Sequence, residues 1–157
     1  MDKRIEQEKA ITKQLRTIFK AIQAHSKCVE KACGLSSVRL WMLFEISSIE
    51  GIKVSELASI LSIHRSTCSN MLDKLEDKNL IYRKRSKTDQ RAVRLYITEE
   101  GEAILAKAPS PPEGKLSASL NKLSPQQLTE LEKSFGVLVK AMHVEDEQAG
   151  LIPIQTI

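Results

Sequence analysis

Residues Leu80–Gly101 read LIYRKRSKTDQRAVRLYITEEG. Two runs in this stretch, Leu80–Arg85 and Ala92–Ile97, are rich in β-branched and aromatic residues, and each reads as a strand. The polar loop Ser86–Arg91 joins them, which makes a hairpin with a charged tip. Thr98 then offers a hydroxyl cap to a helix running to about Ala106, with Gly101 in its second turn. Arg83, Lys84, Arg85, Lys87, Arg91 and Arg94 face a single acid, Asp89, so residues 81–94 carry a net +5. The whole chain carries +4, so the basic excess sits in the hairpin.

On the N-terminal side the period changes to that of helices. Cys68, Met71, Leu72 and Leu75 form one apolar stripe, which predicts a helix from just after His64 to about Lys78. Asn79 follows, where a left-handed C-terminal residue is common. Val54, Leu57, Ala58 and Leu61 mark a short helix at about 54–60, with a break near Ser62–His64. A third helix, 36–48, carries Val38, Leu40, Trp41, Leu43, Phe44 and Ile46, with Ser36 or Ser37 as cap and Gly34 and Gly51 as its borders. Residues 5–31 read as a long helix with Ile11, Leu15, Ile18, Phe19 and Ile22 on one face. Beyond the hairpin, the prolines at 109, 111 and 112 interrupt the helical pattern because each removes a donor and clashes with the preceding turn. A helix resumes at 115–121. Ser124-Pro125 opens the last one, whose buried face is expected to be Leu128, Leu131, Phe135, Leu138 and Met142. Residues 145–157 lack periodicity and read as a tail.

Two helices joined by a short turn and followed by a hairpin define a winged helix-turn-helix. The predicted class is therefore mainly α with a small β-hairpin wing. The expected organisation is an N-terminal dimerisation helix (1–35), the winged domain (36–98), C-terminal dimerisation helices (99–144) and the tail (145–157). The outer helices are amphipathic, far apart in sequence and in need of something to pack on, which in a chain of 157 residues a second subunit supplies. No stretch is long and apolar enough to span a bilayer. The opening MDKRIEQEKAITKQ lacks the apolar core of a signal peptide, so the cytoplasm is the expected location. No cofactor is expected.

The second helix of such a pair enters the major groove. Its outward residues here are Arg65, Ser66, Ser69, Asn70 and Lys74. Arginine donates twice to guanine and asparagine pairs bidentately with adenine, while hydroxyls reach phosphates or base edges. An arginine at a narrow hairpin tip suits the minor groove. Duplex DNA is thus the expected partner, bound by His64, Arg65, Ser66, Thr67, Ser69, Asn70, Lys74, Arg83, Arg85, Lys87 and Arg91. An interaction module that kept the fold without DNA binding is the alternative; its expected mark is a neutral or acidic wing. An enzyme would need a nucleophile beside a base, a phosphate-binding glycine loop or a carboxylate pair, and the sequence offers none of these.

The motifs Val54-Ser55-Glu56-Leu57-Ala58, Ser66-Thr67 through Leu72-Asp73-Lys74-Leu75-Glu76, Leu80-Ile81, Asp89-Gln90-Arg91-Ala92-Val93-Arg94-Leu95 and Thr98-Glu99-Glu100-Gly101 together resemble the MarR family of bacterial regulators (multiple antibiotic resistance regulators). The resemblance spans roughly residues 5–144, and the wing motif, Asp-x-Arg with the following strand and Thr-x-x-Gly, is its most specific part. It implies a homodimer with intertwined terminal helices. It implies that Arg91 enters the minor groove, that Asp89 helps hold the wing, and that the helix at about 65–78 reads a pseudo-palindromic operator. It also implies a repressor released by a small ligand or by cysteine oxidation. The chain departs from the pattern at Lys53 and His64, where capping side chains are common, and at the proline break.

Three further sets of residues invite function. His25, Arg39 and Trp41 fall in segments that line the effector pocket of the resembling family, and each also has an ordinary reading as a surface or core residue. Cys28 and Cys33 are the redox candidates, with Lys27, Lys31 and His25 nearby as thiolate-stabilising groups. Cys68 belongs to an apolar stripe and reads as a packed thiol. His25, His64 and His143 are scattered, and the acidic run Glu145–Glu147 reads as solvated, so no metal site is expected.

Overall fold

The computed structural model describes residues 2–88 and 91–154. Helix α1, Lys3–Cys33, starts where the Asp2 carboxylate accepts from the Arg4 N–H and ends at Gly34, whose left-handed backbone (φ +69°) lets its N–H reach the Glu30 carbonyl. At 31 residues α1 is about 46 Å long, and among its residues only His25 and Val29 are buried. Helix α2, Ser37–Ser48, is capped by the Ser36 hydroxyl and buries Leu40, Met42, Leu43 and Ile46. A two-residue strand β1, Ile52–Lys53, precedes helix α3, Val54–Leu61. The sequence pattern had given no strand here, since two residues are too few for alternation to show.

Helix α4, Arg65–Asp77, buries Cys68, Leu72 and Leu75. It ends at Asn79, which adopts a left-handed conformation (φ +58°), as its position predicts. Strands β2, Ile81–Arg85, and β3, Val93–Ile97, pair antiparallel with Ile81 opposite Ile97 and Arg83 opposite Leu95. β3 also pairs with β1, so the sheet order is β1-β3-β2. The sheet closes over a core in which Leu57, Leu72, Leu75, Ile81 and Leu95 meet the inward face of α2.

Thr98 starts helix α5, Glu99–Lys107, accepting from the Gly101 N–H at 3.1 Å while its hydroxyl donates to the Asn79 carbonyl at 2.7 Å. That pair fixes the exit of α4 to the entry of α5. Gly101 is required by proximity: a Cβ there would run into the Leu80 carbonyl and the Ile97 side chain. Helices α6, Lys115–Leu120, and α7, Pro125–Ala141, follow the proline segment, and α7 opens with a capping box between Ser124 and Gln127.

One expectation needs correction. The apolar stripe of α7 is not buried within the chain: Leu128, Phe135 and Met142 are exposed and no residue of this helix is buried. On α1, Ile11, Leu15, Ile18 and Phe19 are exposed as well. Amphipathic spacing marks a face that needs cover but does not say whether the cover is the same chain. Within the stretch read as a tail, Ala149–Leu151 form a short 3-10 turn, and the Leu151 carbonyl accepts the His64 N–H at 3.1 Å.

Gly101→Ala is expected to destabilise the fold by about 1–3 kcal/mol in denaturant titrations, as overpacking against fixed backbone does. A loss below about 0.5 kcal/mol, the size of an ordinary surface substitution, would mean that the α5 start is not held against Leu80.

Candidate nucleic-acid interface

The α4 side chains sort by the face they occupy. With Cys68, Leu72 and Leu75 inward, Arg65, Ser66, Asn70 and Lys74 are exposed and Thr67 and Ser69 half-buried. His64 sits at the N-cap without a side-chain bond to the helix, and Lys53 does the same for α3, so both departures noted in the sequence leave helix starts without side-chain caps.

In the wing, Lys84, Arg85 and Lys87 are exposed, and so is Arg91 at the end of the hairpin loop. Asp89 lies outside the described residues. Two of the six basic side chains are turned inward. Arg94 donates to the Gly51 carbonyl at 2.9 Å, tying β3 to the turn before β1. Arg83 donates through Nη1 to Asp73 Oδ1 at 2.7 Å and through Nη2 to the Ser69 carbonyl at 3.1 Å, with Glu76 Oε2 3.6 Å away. The sequence had counted Arg83 among the DNA contacts and missed Asp73 and Glu76 as its partners. A signal was present: Arg83 shares a strand face with buried Ile81, and Ser69, Asp73 and Glu76 share one flank of a helix.

The arrangement is a helix with a polar outward face and, joined to it by Arg83, a hairpin presenting a run of cations. Glu56, Asp73, Glu76 and Asp77 are exposed acids nearby in sequence, so the cationic surface is concentrated on the wing and the N-terminal half of α4. A β-hairpin of this charge and a helix of this width fit a polyanion with grooves.

Known proteins place the chain. The MarR family model matches residues 35–93. The HTH-type transcriptional regulator MgrA of Staphylococcus aureus is 31% identical over 123 residues, covering 78% of this chain and 80% of MgrA. The chain belongs to the MarR family. The HTH-type transcriptional repressor MdtR of Bacillus subtilis is 25% identical over 134 residues, covering 85% of this chain and 86% of MdtR. Sco3205, a MarR family transcriptional regulator from Streptomyces coelicolor with a crystal structure in complex with DNA, superposes with a TM-score of 0.61 at 18% identity, covering 90% of this chain and 94% of that one. This MarR-family chain is a transcriptional regulator and not an enzyme.

The remaining candidates are dispersed. His25 and Trp41 line one cavity of about 430 Å³ between α1, α2, α3 and α6, whose wall also includes Ile152, Pro153 and Ile154. His25 is 6% exposed, and its Nε2 donates to the Pro111 carbonyl at 3.1 Å, so the proline break meets α1 here. The Trp41 Nε1–H donates to Glu45 at 3.1 Å. Arg39 is not in the wall of that cavity but lines an adjoining hollow that shares Ser37, Val38, Ile152 and Ile154 with it, as well as a second hollow with Lys74, Asp77 and Lys78; its Nε is buried with no hydrogen-bond partner.

The cysteines also lie apart. Cys28 is exposed, and Cys33 is half-buried toward the Ile104 carbonyl of α5. Burial raises the Cys33 thiol above its ordinary range, against a smaller lowering by Lys107. Cys68 is buried, as its stripe predicts, and burial pushes its thiol up to about 11 despite nearby Arg83. A raised thiol favours the folded state while both states are protonated, so this contribution is full below the ordinary thiol range and lost as pH rises through about 11. Among the described residues no three His, Cys, Asp or Glu side chains gather at metal-binding distance, and no helix is long and apolar enough to cross a membrane.

Titration of the native protein with a thiol-reactive dye near neutral pH is expected to label Cys28 first and Cys68 only after unfolding. Labelling of Cys68 at the rate of Cys28 in folded protein would contradict its placement in the core.

Proposed function

We propose that this regulator acts in the cytoplasm as a homodimeric repressor on a pseudo-palindromic duplex operator. In each subunit the N-terminal half of α4 enters the major groove and Arg91 at the wing tip enters the adjoining minor groove. The observation that carries this reading is the juxtaposition of the polar α4 face with the exposed Lys84, Arg85, Lys87 and Arg91. Base contacts fall to Arg65, Ser66, Ser69 and Asn70, with His64, Thr67 and Lys74 at the backbone. Asp89, which the family resemblance gives a wing-holding role, belongs to the same loop. The DNA-bound state of Sco3205 and the repressor role of MdtR support the reading.

The homodimer is supported by the uncovered faces of α1 and α7. Ile11, Leu15, Ile18 and Phe19 on one helix and Leu128, Phe135 and Met142 on the other are exposed at helical spacing, the pattern of faces that a partner subunit covers. For the release signal, the cavity beside His25 and Trp41 favours a small ligand, and its size falls within the range that small-molecule sites occupy. Oxidation is the weaker route at Cys33, whose thiol is half-buried and raised by that burial, and it leaves the exposed Cys28 as its candidate.

Two experiments test this. Binding to the duplex upstream of the protein's own gene is expected to be specific and to weaken steeply with salt. Arg91→Ala is expected to cost about 1–3 kcal/mol of that binding while leaving the dimer intact. Normal operator affinity in Arg91→Ala would remove the wing from the interface. Phe135→Glu is expected to yield monomers in sedimentation experiments and with them the loss of high-affinity binding; an unchanged dimer would place the interface elsewhere.

A further inference from the structure

We infer that Arg83 is a positioning residue, which sets the wing against the DNA-reading helix, and not a phosphate contact. The inference rests on the DNA-binding reading above and assigns a role within it. Arg83 stands on β2 opposite Leu95. Its guanidinium spans three acceptors on one flank of α4: the Asp73 carboxylate at 2.7 Å, the Ser69 carbonyl at 3.1 Å and Glu76 at 3.6 Å. The side chain is only 23% exposed, whereas Asp73 is 59% exposed. A phosphate seeking this arginine would have to displace two carboxylates and would meet their repulsion on approach. The exposed Lys84, Arg85 and Lys87 offer the same charge without that obstacle.

The geometry gives the fork a mechanical consequence. Arg83 sits midway along β2, and Arg91 closes the loop beyond the strand's far end. From Arg83 the chain reaches the loop three residues on, roughly 10 Å at the usual rise per residue, so a ~10° rotation about Arg83 moves the start of the loop by about 2 Å. A displacement of that size takes a side chain out of hydrogen-bond range of a groove. Because one guanidinium nitrogen holds the Ser69 carbonyl and the other holds Asp73, the strand is held at two points about one turn apart along the helix. A lysine keeps the charge but not the two-point grip. Ser69 and Asp73 lie on either side of Asn70 in the sequence, so the clamp and the proposed base contacts share the same turns of α4.

The test is affinity for the duplex upstream of the protein's own gene, measured by fluorescence anisotropy on folded, dimeric variants. Arg83→Lys and Arg83→Gln are expected to weaken binding alike, by roughly tenfold, within the span that coupled neighbours show. Asp73→Ala/Glu76→Ala is expected to weaken binding although it removes two negative charges from the DNA-facing side. In an Arg91→Ala background, Arg83→Gln is expected to cost less than about twofold more, because its effect runs through the wing tip. Near-normal binding by Arg83→Lys, tighter binding by Asp73→Ala/Glu76→Ala, or full additivity with Arg91→Ala would each overturn the inference and leave Arg83 as a direct contact. Failure of the unsubstituted protein to bind the duplex would overturn the DNA-binding reading and the inference together.

Discussion

Burial of Cys68, Leu72 and Leu75 against α2, α3 and the sheet is the constraint on which the candidate interface depends. An α-helix has one rotation about its axis, and once three positions are committed to the core the opposite positions face outward. Ser66 and Asn70 are presented to solvent for that reason and not through any bond of their own. The same core fixes β2 through Ile81 and β3 through Leu95, so helix and wing are mounted on one apolar cluster. Leucines of this kind contribute ~2–5 kcal/mol each by truncation, which is far more than any exposed ion pair contributes. The polar bonds around them act as fine adjustment: Thr98 to Asn79, Arg94 to Gly51, and Arg83 to Ser69 and Asp73.

Most of this mount was legible in the residues. Periods of three and four residues located the helices, and the change to strand-like composition after Asn79 located the hairpin. Thr98 and Ser124 marked helix starts because their hydroxyls satisfy N–H groups that the helix leaves open. The wing motif was specific enough to identify the family. The illegible parts share a physical cause. β1 is too short to carry a period, and its existence depends on β3, some forty residues away. The Arg83 clamp joins positions set by tertiary packing, and a charged strand residue looks the same whether its partner is a carboxylate or a phosphate. The α7 stripe has the spacing of a buried face, and spacing does not encode whose surface buries it.

The candidate site was legible in its residue types more than in its assembly. Arg65, Ser66, Asn70, Lys74, Arg85 and Lys87 occupy the exposed positions that their chemistry suggested. His25 and Trp41 share a cavity, whereas Arg39, two residues before Trp41 in the sequence, lines the adjoining hollow because successive α2 side chains diverge around the helix. The C-terminal residues carried no periodic signal, yet the Leu151 carbonyl occupies the N–H of His64 at the start of α4. A backbone-to-backbone bond of this kind leaves no mark in side-chain pattern.

Hydroxyl-radical footprinting of the upstream duplex in the presence of the protein tests the central claim most directly. A dimer with two reading helices and two wings is expected to protect the backbone in a two-fold symmetric pattern. Two major-groove half-sites about one helical turn apart should appear, flanked by minor-groove protection that Arg91→Ala removes. Protection that is absent, that shows a single half-site, or that is unaltered at the flanks by Arg91→Ala would contradict the account.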